Sequence, residues 1–211
     1  MAITALLIYL VGSAVAFGLR TVLQLRRTGS SGFHGISGKP GSLRWWAGIS
    51  LVAALVLGLT ALALAVVDVA ARPSGSSVDA AGLVGLVLAL VGFAGVLAAQ
   101  TGMGSSWRIG VKETERTELV TGGLFALVRN PIFTAMVVAQ LGLTLMVPTW
   151  LSVAALVCLA AAVEMQVRLI EEPYLLTTHG GSYARYAAAT GRFIPGVGRL
   201  TTSGVTPRSW P

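Results

Sequence analysis

The sequence predicts an all-α integral membrane protein of about five transmembrane helices, the last two paired as a helical hairpin. Composition carries the class: 55% of the residues are hydrophobic and only 11% are charged, where a soluble domain carries roughly 25% charged residues. Mean hydropathy is +0.79. Several apolar runs also exceed the roughly 18 residues that mark a candidate membrane-spanning helix.

The spans read in order are Ile3–Leu23, Trp45–Val67, Ala80–Gln100, Ile132–Val147 and Thr149–Leu169. The first carries Gly12, Ser13, Ala14, Ala16 and Gly18, small residues that let helices approach closely, and Arg20 is placed to snorkel to the interface. The stretch 28–42 follows, with five glycines and His34. Its composition reads as a flexible linker. Backbone of this kind also forms anion-binding nests, but the phosphate-loop signature and its strand-then-helix setting are missing. Trp45-Trp46 opens the second span, where an aromatic belt belongs. Gly82, Gly85, Gly92 and Gly95 give the third span a small-residue face for packing. The fourth is short and reaches the fifth through Val147-Pro148-Thr149, a tight turn because proline breaks helices; a re-entrant pair is the alternative.

The formal charge of +7 suggests an acidic partner, but its distribution reports topology. Arg20, Arg26, Arg27, Lys39 and Arg44 fall at or after the end of span one. Arg108, Lys112, Arg116 and Arg129 lie between spans three and four. Arg168, Arg185, Arg192, Arg199 and Arg208 lie near or beyond the end of span five, and only Arg72 falls elsewhere. The positive-inside rule then puts the N-terminus and the loop Asp68–Asp79 outside and the C-terminus in the cytoplasm. The expected partners are membrane and lipid, with no nucleic acid. Cys158 is the only cysteine, so neither an intrachain disulfide nor a thiolate metal cluster forms. Positive charge follows the first apolar run instead of preceding it, which argues against a cleaved signal peptide.

Between spans three and four, Met103 to Gly110 mixes glycines and hydroxyls with Trp107 and Arg108. Lys112 to Glu118 alternates in charge, and Thr121 to Phe125 turns the chain back toward the bilayer. One reading makes this segment a cover over a cytoplasmic pocket, with Trp107 and Arg108 facing a ligand. The other makes Trp107 an interfacial anchor and Arg108 a contact to lipid phosphate.

Chemistry-bearing residues gather after this loop. Pro131 suits the first turn of span four and Asn130 suits the N-cap before it. Beside Arg129, the positive end of that helix would suit a carboxylate or phosphate. Glu164, Arg168, Glu171 and Glu172 fall at i, i+4, i+7 and i+8 and predict one stripe along the inner end of span five. Arg168 can neutralise Glu164 or Glu172, and a remaining carboxylate beside an apolar pocket would suit an ammonium, a sulfonium or ribose hydroxyls. His179, Tyr183 and Tyr186 follow, the tyrosines on one helical face, and then Gly191-Arg192-Phe193-Ile194-Pro195.

Taken in order, Arg129-Asn130-Pro131-Ile132-Phe133, then Glu171-Glu172 with Leu175, Gly180, Tyr183 and Tyr186, then Arg192-Phe193-Ile194-Pro195 resemble the C-terminal signature of integral membrane methyltransferases. These are the isoprenylcysteine carboxyl methyltransferases and the phospholipid N-methyltransferases. The resemblance covers about Met103 to Pro195, and Met103 to Gly110 is similar to a bacterial branch of the isoprenylcysteine type. It divides the chain into a scaffold of three spans with a glycine-rich loop, residues 1–100, and a methyltransferase core, residues 101–211.

The resemblance implies an S-adenosylmethionine-dependent enzyme whose C-terminal cofactor pocket opens to the cytoplasm, in a bacterial plasma membrane. Asn130, Pro131, Glu171, Glu172, His179, Tyr183 and Tyr186 would bind the cofactor. Arg129 and Arg192 would be catalytic, holding a substrate carboxylate, and Trp107 and Arg108 would meet the substrate. A lipophilic acceptor would enter laterally, most simply the carboxylate of an isoprenoid or prenylcysteine-like lipid. The family's motif commonly reads Arg-His-Pro; here Asn130 replaces the histidine, and an amide hydrogen-bonds but does not titrate. Ala187 to Ala189 also stand where eukaryotic prenylcysteine enzymes carry a basic run. The rivals are a phospholipid N-methyltransferase, a membrane reductase using NADPH, and a non-enzymatic lipid-binding scaffold.

Overall fold

The computed structural model describes residues 1–28, 36, 38–71, 79–104 and 119–200. Trp107, Arg108, His34, Arg72 and most of the glycine-rich loop therefore lie outside the described residues. The described chain is helical, without a strand; an isolated parallel bridge joins Val128 to Gly191.

Helix α1 (Ala2–Ser13), a π-helical turn (Ala14–Leu19) and α2 (Arg20–Thr28) run on as one rod. They are followed by α3 (Leu43–Ala71), α4 (Ala80–Gly102), the single turn α5 (Leu124–Leu127) and α6 (Pro131–Met146). Then α7 (Trp150–Gln166), a second π-helical turn (Val167–Glu171) and α8 (Glu172–His179) form another continuous rod, and α9 (Gly181–Ala189) closes the order. Four apolar rods are long enough to cross a membrane: Ala2–Arg26, Leu43–Ala71, Ala80–Gly102 and Trp150–His179. Helix α6 has 16 residues, about 24 Å at 1.5 Å per residue, shorter than a bilayer core of roughly 30 Å. The outward faces carry exposed Leu7, Val11, Leu64, Val87, Val91 and Val157, the surface a hydrocarbon solvent accepts.

The hairpin of α6 and α7 turns at Val147-Pro148-Thr149 as expected. Thr149 and Ser152 cap each other's backbone in a reciprocal box at the start of α7. Each arm finds its main partner elsewhere: α6 lies along α4, and α7 along α3. The α4–α6 seam is so close that a methyl group on Gly92 would strike the backbone of Ala139, and one on Gly142 that of Ala89. Here backbone packs on backbone, which is how small residues drive association where lipid removes the hydrophobic gain.

Two apolar clusters fill the bundle. One contains Ala5, Tyr9, Leu62, Ala89, Leu143 and Met146. The other contains Ala16, Ala54, Val96, Met136, Leu159 and Val163, with Phe193 from the C-terminal segment packed against it.

Two expectations change. Arg20 does not snorkel; it is buried, and its Nη2 donates to the carbonyls of Gln100 (3.0 Å) and Gly104 (3.2 Å) at the end of α4. In return the Gln100 amide donates to the carbonyl of Ala16 (2.9 Å) within the first π turn. The two polar side chains thus latch α1–α2 to α4, and burial is tolerable because each is hydrogen-bonded. The fifth span also continues well past Leu169, to His179, the helix running on through the π turn and the charged residues.

Candidate functional site

The site is built where the start of α6, the start of α8 and the segment after α9 meet. The Arg129 N–H donates to the carbonyl of Gly191 (2.8 Å) and the Asn130 N–H to that of Arg192 (3.2 Å). Downstream, the Arg192 N–H reaches the carbonyl of Val197 (2.7 Å) and the Leu200 N–H that of Ala187 (3.0 Å). Residues 187–200 are thereby folded onto 128–130. Gly191 sits in the tightest part of this turn, where a Cβ would collide with the carbonyl of Ile194.

At the centre lies Glu172, buried at the first turn of α8. Its Oε1 accepts from Arg129 Nη2 (2.6 Å) and from Arg192 Nε (2.8 Å), and its Oε2 from Arg192 Nη2 (2.9 Å). The Arg192 contact is a two-pronged fork, the strong geometry for guanidinium and carboxylate. It raises the pKa of Arg192 above its ordinary value, against the opposing effect of burial.

Arg129 is held further by carbonyls. Its Nη1 donates to Ala187 (2.9 Å) and Thr190 (2.5 Å), and its Nη2 also to Gly198 (3.1 Å). Its side chain is 1% exposed, while its buried Nε has no hydrogen-bond partner among the described residues. One arginine thus joins the α6 entry, α8, α9 and the C-terminal segment. In this arrangement both terminal nitrogens of the guanidinium are committed to the protein's own oxygens.

The remaining candidates fall around this centre. Asn130 stands at the N-cap position with Pro131 at the first helical residue, but its side chain does not cap the helix; its Nδ2 donates instead to the Arg192 carbonyl (3.1 Å). Thr134, one turn on, donates to the carbonyl of Phe193 (2.9 Å). Tyr183 is buried beside the cluster, where burial, with the Glu172 charge adding to it and Arg129 opposing, pushes its hydroxyl well above the ordinary range. Tyr186 meets it edge-on at 6.1 Å and donates to the carbonyl of Phe125 (2.6 Å); burial pushes its hydroxyl up to about 12. Glu171 is only half-buried and accepts from Gln166 Nε2 (3.2 Å) across the second π turn. His179 is half-buried at the α8–α9 corner, before Gly180 turns at φ +52°, and no contact among the described residues ties it to the cluster.

The expected stripe of Glu164, Arg168, Glu171 and Glu172 does not hold. Glu164 and Arg168 pair with each other one helical turn apart, one of the two neutralisations the sequence offers, with both side chains about half exposed. Glu172 turns inward to the arginines. Sequence reasoning also missed Thr134, Thr190 and Gly198, which act here through a hydroxyl or backbone carbonyls. Gly191, next to the Arg-Phe-Ile-Pro motif, was the available signal.

Two cavities lie elsewhere. One of about 530 Å³ opens at the opposite end of the bundle, among Met1, Asp68, Asp79, Pro148 and Trp150. A small one of about 30 Å³ lies inside, among Tyr9, Phe93, Gln140 and Leu159. Neither is lined by Arg129, Glu172 or Arg192.

Fold and site together define a helical integral membrane protein with a buried arginine–carboxylate frame at one end of its bundle. Residues 80–181, just under half of the chain, match the family model of the phospholipid methyltransferases. The match runs from α4 through α8. It contains Arg129, Asn130, Pro131, Glu171, Glu172 and His179, and stops before Tyr183, Tyr186 and Arg192. It begins earlier and ends sooner than the motif order suggests. No curated protein and no solved structure matches the chain.

Proposed function

We propose that the protein transfers a methyl group from S-adenosylmethionine to a lipophilic acceptor at the cytoplasmic face of a bacterial plasma membrane, the acceptor being an isoprenoid or prenylcysteine-like carboxylate. The family match over residues 80–181 carries the reading. The donor set at the start of α6 and α8 supports it.

That donor set fits the methyl donor. The first-turn N–H groups of α6 lack partners within the helix and carry the positive end of its dipole, which suits a carboxylate. Glu171, half-buried on the far side of the π turn, suits an ammonium or ribose hydroxyls. The donor itself supplies an electrophilic methyl on a sulfonium. We assign Arg129, Glu172 and Arg192 as positioning residues that set the α6 entry against α8. We assign Asn130, Pro131 and Glu171 to cofactor contact, with His179, Tyr183 and Tyr186 as the wall behind them. Trp107 and Arg108 are assigned to the acceptor.

An acceptor carboxylate is already ionised near neutral pH, so orientation and exclusion of water supply most of the acceleration. A base at position 130 is then unnecessary. In keeping with this, Asn130 works as a donor to a backbone carbonyl, a task that a histidine N–H also performs.

The test is incubation of the purified protein in lipid nanodiscs with methyl-labelled S-adenosylmethionine and separate acidic and amine-bearing lipid fractions. Label released as a base-labile ester from the acidic fraction is expected. Stable label in the amine fraction would move the reading to a phospholipid N-methyltransferase, and no transfer to either would overturn it.

A further inference from the structure

The small cavity of about 30 Å³ lies at the middle of the bundle, where α1, α3, α4, α6 and α7 meet. Gln140 stands about 14 Å along α6 from Pro131, and its neighbour Ala139 packs against Gly92, halfway along α4. Gln140 is 5% exposed and lines the cavity. Its side-chain amide makes no hydrogen bond among the described residues. The amide oxygen faces α3, where a Cβ on Gly58 would come within 3.0 Å of it. A bare amide is costly at this depth, because hydrocarbon offers it no hydrogen bond.

Two hydroxyls from α1 line the same cavity. Tyr9 directs its proton to the carbonyl of Leu55 on α3 (2.7 Å), which leaves its oxygen free to accept. Ser13, one helical turn on, can donate or accept. Phe17, Phe93 and Leu159 close the space around these groups. A water needs about 10–15 Å³ of such space and two to four polar partners, whereas a small-molecule pocket is typically about 300–1,000 Å³. We propose that this cavity binds a single water molecule, which joins the Gln140 amide to the Tyr9 and Ser13 hydroxyls and so ties α1 to α6 at mid-membrane depth. The site is separate from the methyl-transfer site and does not depend on that reading.

The test is nuclear magnetic resonance of the deuterated full chain, ¹⁵N-labelled at glutamine, in nanodiscs of deuterated lipid. Magnetisation transfer from water is read at the side-chain NH₂ of Gln140, whose signal is assigned by its loss in Gln140→Met. Rotating-frame transfer separates contact with a bound water from proton exchange, because the two have opposite sign. A contact cross-peak at the Gln140 NH₂ is expected. Ser13→Ala, which removes one partner of the water, is expected to weaken it. Ala16→Val, which grows into the cavity from the first π turn and leaves every polar group in place, is expected to abolish it. The Gln166 amide, held by Glu171 (3.2 Å), reports in each spectrum that the variant is folded. No contact cross-peak in the parent protein, or one left unchanged by both substitutions, would overturn the proposal.

Discussion

Replacing Glu172 by glutamine probes the frame directly. The substitution keeps the shape and removes the one charge that a buried guanidinium, Arg129, and a partly buried one, Arg192, share. The glutamine oxygen still accepts, but its NH₂ group now faces N–H donors that formerly ended on Oε1 and Oε2 at 2.6–2.9 Å. Breaking a buried ion pair from one side costs about 3–5 kcal/mol, against a total stability of roughly 5–15 kcal/mol for a typical domain. The loss should fall locally. The spanning helices are held by apolar clusters away from Glu172, whereas residues 187–200 are held by the frame. Amide hydrogen exchange at Arg192 and Leu200, whose N–H groups bond to Val197 and Ala187, is therefore expected to accelerate roughly 100-fold or more. The helical signal should persist. Exchange at these amides within about threefold of the parent would refute the reasoning.

Other substitutions separate the remaining contacts. Asn130→Ala loses one hydrogen bond to the Arg192 carbonyl and should cost about 1 kcal/mol in thermal unfolding, while Asn130→His should lose less; the opposite order would contradict the donor role. Gly92→Leu forces a side chain into the Ala139 backbone and should destabilise by more than about 3 kcal/mol, read as loss of monodisperse protein on size-exclusion chromatography. Tyr186 rises from an ordinary 10.0 to about 12 because burial favours the neutral phenol. Its contribution is therefore complete below pH 10 and is lost as pH climbs to about 12. Tyr186→Phe should flatten that segment of the stability profile, and an unchanged profile would count against it.

Much of the architecture is legible in the sequence because lipid solvent imposes a coarse code. Runs such as Ala80–Gln100 must be helical and apolar, and Pro148 must interrupt. The site is legible as a set of residues but not as a set of partners. Helical periodicity placed Glu172 on a stripe with Arg168, whereas its partners are Arg129 and Arg192, which come from elements distant in sequence. Arg20 read as a snorkelling cation because nothing local reveals that the carbonyls of Gln100 and Gly104 lie 80 and 84 residues away in sequence. The carbonyls that hold Arg129 come from Ala187, Thr190 and Gly198. No side-chain pattern can name a backbone oxygen.

The claim of S-adenosylmethionine dependence is tested most directly by calorimetric titration of the detergent-purified protein with S-adenosylhomocysteine, beside NADPH and the Glu171→Gln variant. The account predicts saturable binding of the homocysteine product, at least about tenfold weaker in the variant through loss of one charged contact, and no response to NADPH. Binding of NADPH alone would contradict it in favour of a reductase, and silence toward both would leave a membrane scaffold without this cofactor.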